Sequence, residues 1–206
     1  MILQRVRGWA SQGESSKQGY VTSKNTQRFL GTLAIGGYCI HASFHVWRGE
    51  PENLLWVCHL AALLVGIGLI TRSNTIFGIG TIVLCMGTPL WAFDLLQGSE
   101  FFLTSLGTHV LGLAIGLYGV RLHGIERGTC WKAGAFTVTL IVVSRIATSV
   151  ASNVNLAFAI PPGMDRYFSS HLAYLAVMIG ITCAYFWVVE MLLRAFVAKR
   201  PEAAVS

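Results

Sequence analysis

Five of the six histidines, His41, His45, His59, His109 and His171, fall near one end of four different apolar segments, with Cys58, Asp94 and Arg145 at a similar level. His41 and His45 are four residues apart, so on a helix both rings lie on one face. Tyr38 and Arg48 extend that stripe. Such a pair can ligate one metal ion, or one ring can ligate while the other supports it. Cys58 and His59 are adjacent, about 100° apart around a helix, and so point in different directions. His109 shares a helix face with Ser105.

This set supports three chemistries. Cys58 with His109 is a thiol and an imidazole that can generate its thiolate, the two parts of a nucleophilic catalyst. Arg145 would then hold an anionic group of the substrate, with Ser105 and Asp94 also placed among the substrate-binding residues. Alternatively His41, His45 and His59, with His109 in reach, could ligate a transition metal or supply two axial ligands to a haem. The third possibility is a polar network at helix ends, bonded to loops, with no cofactor. The first is taken as the leading expectation and implies no cofactor; haem or a transition metal belongs to the alternative.

The surrounding composition explains what must carry these residues. The chain has 206 residues, 54% hydrophobic and 12% charged, with a mean hydropathy of +0.61. Soluble domains carry about 25% charged residues, so most of this chain's solvent is expected to be lipid. Six apolar stretches emerge: Phe29–Trp47, Asn53–Thr71, Asn74–Phe93, Phe101–Val120, Trp131–Ser152 and Ser170–Phe196. Each is near the length of about 20 residues that crosses a bilayer as a helix. None alternates like a barrel strand, and backbone groups in lipid must bond within their own helix. The expectation is an all-α, polytopic six-helix bundle over 28–197, with a polar segment over 1–27 and a short tail over 198–206.

The net charge of +6 is read as topology, not as affinity for nucleic acid. Arg5, Arg7, Lys17, Lys24 and Arg28 precede the first span, Arg72 follows the second, Arg121, Arg127 and Lys132 surround the fourth connection, and Arg194, Lys199 and Arg200 end the chain. If the spans alternate, all fall on one side, which places both termini in the cytoplasm and the histidines on the opposite face. Residues 1–27 lack an apolar centre and are read as a polar tail, or a short interfacial helix, and not as a cleaved signal. The location expected is a multi-pass integral membrane protein, in the cell (inner) membrane if the chain is bacterial. Membrane lipids, and a helix-packing protein partner, are the expected neighbours.

Smaller features refine the picture. Cys39, Cys58, Cys85, Cys130 and Cys183 lie on separate elements without a CxxC pair, so neither a disulfide framework nor a zinc ribbon is expected. Gly112 and Gly116 form a small-xxx-small face for close helix approach. Pro89 should kink the third span and free carbonyls near the histidines. Arg145 should find Asp94 or loop carbonyls, and Glu190 should find Arg194. The long connection 151–169 could lie across the mouth of the bundle as a lid. There is no GxSxG elbow, P-loop, Rossmann fingerprint or HExxH, no arginine ladder and no mid-span lysine for a Schiff base.

The order Leu-Leu-Trp-Val-Cys58-His59, Gly87-Thr88-Pro89 and Ser105-Leu-Gly-Thr-His109, with Asn-Val-Asn155-Leu-Ala-Phe before Pro161, resembles the YwaF-like integral membrane proteins, distant relatives of a Cys/His ether-phospholipid acyltransferase. The resemblance covers roughly 54–118. It implies Cys58 as acyl acceptor and His109 as general base, in a lipid acyltransferase or hydrolase. His59 departs from the asparagine often found after that cysteine. A non-catalytic membrane subunit is the remaining expectation for the chain as a whole.

Overall fold

A computed structural model describes residues 24–197, and these form an all-helical bundle of six α-helices in which no strand occurs among the described residues. Helix α1 (Ile2–Trp47) is followed here from Lys24 on. After it come a 3-10 turn at Pro51–Leu55, α2 (Val57–Thr71), α3 (Asn74–Leu96), a π-turn at Gly107–Leu111 that runs into α4 (Gly112–His123), α5 (Thr129–Ala147) and α6 (His171–Leu192). The reading of the N-terminal tail, and the tail over 198–206 with Lys199 and Arg200, lie outside the described residues.

Four helices are long and apolar enough to cross a membrane: α1 from Lys24, α3, α5, and α6 with the turn that follows it. Helix α2 is shorter, at 15 residues. Pro51 opens the 3-10 turn before it and fixes a non-helical path there. The bundle is apolar outside as well as inside: Phe29, Trp47, Ile146, Leu172 and Phe196 are all more than 60% exposed. A surface of that kind suits lipid and not water.

The interior rests on α2 and α3, packed against each other, with Val65, Leu69, Phe77, Ile82, Val83 and Leu84 buried. The Gly112–Gly116 face works as its spacing predicts. Gly112 meets Ala62 and Leu84, and Gly116 meets Thr81, so α4 lies tightly on α2 and α3. Pro89 does free a carbonyl, that of Cys85 four residues earlier. Its hydrogen bond comes from the Tyr185 hydroxyl of α6 at 3.0 Å, not from a histidine. Glu190 does meet Arg194, at 3.7 Å. Its stronger role is to accept from the amides of Gly128 and Cys130 at 2.9 and 2.8 Å, capping the start of α5. At the same end Glu126 is held below the usual carboxylate range by the Thr75 hydroxyl and by Lys132.

Candidate metal centre at one end of the bundle

The site begins with two close backbone approaches. A methyl group built on Gly37 would stand 3.1 Å from the Gly107 carbonyl oxygen, so α1 touches the π-turn with no side chain between them. One turn beyond Gly37, His41 therefore reaches Thr104, with its Nδ1 2.9 Å from the hydroxyl. A methyl on Gly87 would stand 2.8 Å from Cys58 Cβ, which seats the first turn of α2 directly on α3. The same first turn is tied from the other side. Asn155 accepts from the Val57 amide at 2.9 Å and donates to the Leu55 carbonyl and to Ser144 Oγ, both at 2.8 Å.

Three imidazoles meet here. His41 Nε2 lies 3.1 Å from His59 Nε2 and 3.3 Å from His45 Nε2. All three rings are buried. The outer nitrogens are each engaged elsewhere. His59 Nδ1 donates to the Asn53 carbonyl at 2.8 Å, and His45 Nδ1 donates to the Glu50 carboxylate at 3.3 Å. A carbonyl and a carboxylate only accept, and the Asn53 amide nitrogen, 3.4 Å from His45 Nδ1, donates to Glu50 at the shorter distance of 3.1 Å, so both rings carry their proton on Nδ1 and present a bare Nε2 lone pair to His41. A single proton on His41 Nε2 would have to be shared between two acceptors. A cation among the three nitrogens satisfies all of them at once.

The surroundings fit that purpose. Asn53 donates to Glu50 at 3.1 Å, and Arg48 bridges Glu50 at 3.3 Å and Glu100 at 3.1 Å. The Arg48 guanidinium also lies 4.7 Å above the Phe102 ring. Thus the carboxylate behind His45 is itself fixed. Metal-binding histidines characteristically pass their second N–H to a carboxylate or carbonyl in this way. Nearby, Ser152 and Ser149 hold the Glu52 carboxyl below its usual range and tie the 3-10 turn to the end of α5.

His59 belongs to a second group. One ligand-capable atom from each of Cys58, His59 and His109 lies within 4.8 Å of the others. Although neighbours on a helix start about 100° apart, a ligand atom of Cys58 and one of His59 come this close. His109 is 2% exposed, and its Nδ1 has no hydrogen-bond partner. Its ring stacks on Trp91 at 4.9 Å with 6° between planes. Its backbone sits in the π-turn, where the Thr88 hydroxyl donates to its carbonyl at 3.0 Å.

Of the residues expected to share this site, His41, His45, His59, His109 and Cys58 are brought together. His171 is not. It opens α6 and donates to the Leu156 carbonyl of the long connection at 3.0 Å. Arg145 also turns to that connection, donating to the Ala157 carbonyl at 2.8 Å, with Phe158 beneath it. Asp94 is exposed at the end of α3. Ser105 is buried, but its hydroxyl donates to the Phe102 carbonyl at 2.6 Å. The connection itself is wedged between helices: Val154 and Ala157 are fully buried, and Asn155 enters the bundle. Asn155 and Leu156 there border an apolar cavity of about 370 Å³ between α3, α5 and α6, which also reaches Trp56 and Val57.

Glu50, Asn53 and Thr104 escaped the sequence reading. Each lies in a connection or turn, and only the fold brings it behind a histidine. Comparison with protein-family models, curated proteins and solved structures returns no match to this chain.

Proposed function

We propose that this is a membrane-embedded metal-binding protein whose centre is built from His41, His45 and His59. The observation that carries this reading is the convergence of three Nε2 atoms while the ring nitrogens behind two of them donate to fixed acceptors. Nitrogens bound to one tetrahedral ion at 2.0–2.1 Å stand about 3.3 Å apart. The separations of 3.1 and 3.3 Å match that value. Imidazole donors suit zinc, copper, nickel or iron. The spacing favours a bare ion over a haem, whose two axial nitrogens must stand on opposite sides of a porphyrin. Three protein ligands leave one position for water or a substrate oxygen, the arrangement of catalytic and not of structural sites.

The reading includes a topology of six spans. Helix α2 covers about 22 Å at 1.5 Å per residue, less than the bilayer core of about 30 Å. The turn at Pro51–Leu55 would complete its passage at the polar boundary. Lys24, Arg28, Arg72, Arg121, Arg127, Lys132 and Arg194 lie near the helix ends opposite to those that carry His41, His45 and His59. By the positive-inside rule the basic ends are cytoplasmic, and the metal centre faces the outer leaflet.

Elemental analysis of protein purified in detergent, after stripping and reloading with Zn²⁺, tests the centre. One tightly held equivalent is expected, lost in a monodisperse His59→Ala variant and bound more weakly in a monodisperse His41→Ala variant. Retention of zinc by both variants at wild-type affinity would refute it.

A second reading, acyl transfer to or hydrolysis of a lipid with Cys58 as nucleophile and His109 as base, is favoured by the proximity of these two residues and by the apolar cavity beside Trp56 and Val57. The resemblance to YwaF-like proteins points the same way. It requires Cys58→Ala and His109→Ala each to abolish turnover of a lipid ester while metal content is unchanged.

A further inference from the structure

We infer that Cys58, His59 and His109 form a second, thiolate-containing position for the same ion, and that His59 passes the ion between the two positions. The inference rests on the three-histidine centre being a metal site. Its own support is separate. Cys58 is not an isolated thiol: His59 and His109 offer ligand atoms within 4.8 Å of it and of each other. His109 is buried to 98%, being 2% exposed, and its Nδ1 meets no hydrogen-bond donor or acceptor. A buried, unpartnered imidazole nitrogen is costly unless something polar completes it. A metal ion would do so.

The sharing of His59 dictates how the positions relate. Its Nδ1 is committed to the Asn53 carbonyl at 2.8 Å, so Nε2 is the one lone pair it can offer. One lone pair serves one ion, and therefore the two positions are occupied in turn and not together. They differ in chemistry. The first offers three imidazoles beside the exposed Glu50 and Glu100 carboxylates and takes a borderline divalent ion. The second offers one thiolate and two imidazoles against the Trp91 ring, a softer set that suits Cu(I) or Zn²⁺. An ion arriving from the aqueous side would meet His45, move with His59, and settle at Cys58. Thiol binding releases one proton per ion, which the all-nitrogen position does not.

Cobalt(II) reads both positions in one sample, because its visible d–d bands report tetrahedral binding and a near-ultraviolet charge-transfer band reports thiolate. Full-length protein titrated with Co²⁺ should bind a single equivalent. The thiolate band should strengthen in His45→Ala and His45→Gln, which weaken the first position, and vanish in Cys58→Ser, which should keep the d–d bands. His59→Ala should bind none. An all-nitrogen spectrum in the wild type and in both His45 variants would overturn the second position and leave the first standing. Two equivalents bound together would overturn the sharing. Failure of the wild type to bind Co²⁺ at all would overturn both readings.

Discussion

The side-chain oxygen of Asn155 accepts a hydrogen bond from the Val57 amide at 2.9 Å, across 98 residues of sequence. Val57 is the first residue of α2, so a loop side chain caps the helix that carries Cys58 and His59. The amide nitrogen of Asn155 meanwhile donates to the Leu55 carbonyl just before that helix and to Ser144 Oγ near the end of α5. One side chain therefore sets where α2 begins relative to α5. Its backbone is left-handed, with φ +55°, a conformation asparagine adopts more readily than most residues.

Asn155→Gly keeps that backbone and removes all three bonds. It should lower stability by about 2–4 kcal/mol, from the polar groups left unmet. Asn155→Ala should cost about 1 kcal/mol more, from the left-handed backbone. Thermal unfolding in detergent measures both. Equal stability of the glycine variant and wild type would show that the cap carries no energy.

The carboxylate behind His45 leads to a prediction on affinity. Glu50→Gln retains the shape and a side-chain oxygen but removes the charge that accepts from His45 Nδ1 at 3.3 Å. Zn²⁺ affinity should fall about 10–100-fold, with little change in melting temperature without metal. Competition with a zinc chelator gives the number. An unchanged affinity would mean that Glu50 only balances Arg48.

How much of this could be read from the chain follows from what periodicity encodes. The helices and the shared face of His41 and His45 were legible, because lipid demands continuous apolar runs and a spacing of four fixes a face. The packing of Gly112 and Gly116 was legible for the same reason. Helical periodicity does not show what a side chain meets beyond its own helix. Arg145 and His171 sit at the right level, yet both bond carbonyls of the 151–169 connection. Glu50 and Asn53 lie in a turn whose path depends on Pro51 and on the Asn155 tie. The π-turn that places His109 has no composition signal of its own, since Gly107–Leu111 also fits an ordinary helix.

Close packing at Gly87 gives a steric prediction. A methyl there would meet Cys58 Cβ at 2.8 Å, and neither atom lies at the end of a flexible chain. Gly87→Ala should push the first turn of α2 off α3 and destabilise by about 1–3 kcal/mol. Because His59 moves with that turn, metal affinity should fall as well. Gly36→Ala, where the added methyl meets nothing within 4 Å, is the control and should leave both quantities unchanged. Equal behaviour of the two variants would contradict the contact.

Pro89 and Tyr185 form the last testable pair. Proline has no N–H, so the Cys85 carbonyl loses its helical donor and takes the Tyr185 hydroxyl at 3.0 Å instead. Tyr185→Phe should therefore cost about 1 kcal/mol, the usual net value of one hydrogen bond, and more if the carbonyl is left unmet in lipid. In a Pro89→Ala background the alanine amide can restore the helical bond to Cys85. Tyr185→Phe should then cost much less. A double-mutant cycle isolates that coupling, expected at about 0.5–1.5 kcal/mol. Additive effects would mean that the tyrosine does not compensate the proline. Because Pro89, Leu90 and Tyr185 all border the apolar cavity, the cycle also reports whether α3 and α6 keep their spacing there. Loss of coupling together with a changed cavity would place the proline's role in shaping that space, and retained coupling would place it in the hydrogen bond itself.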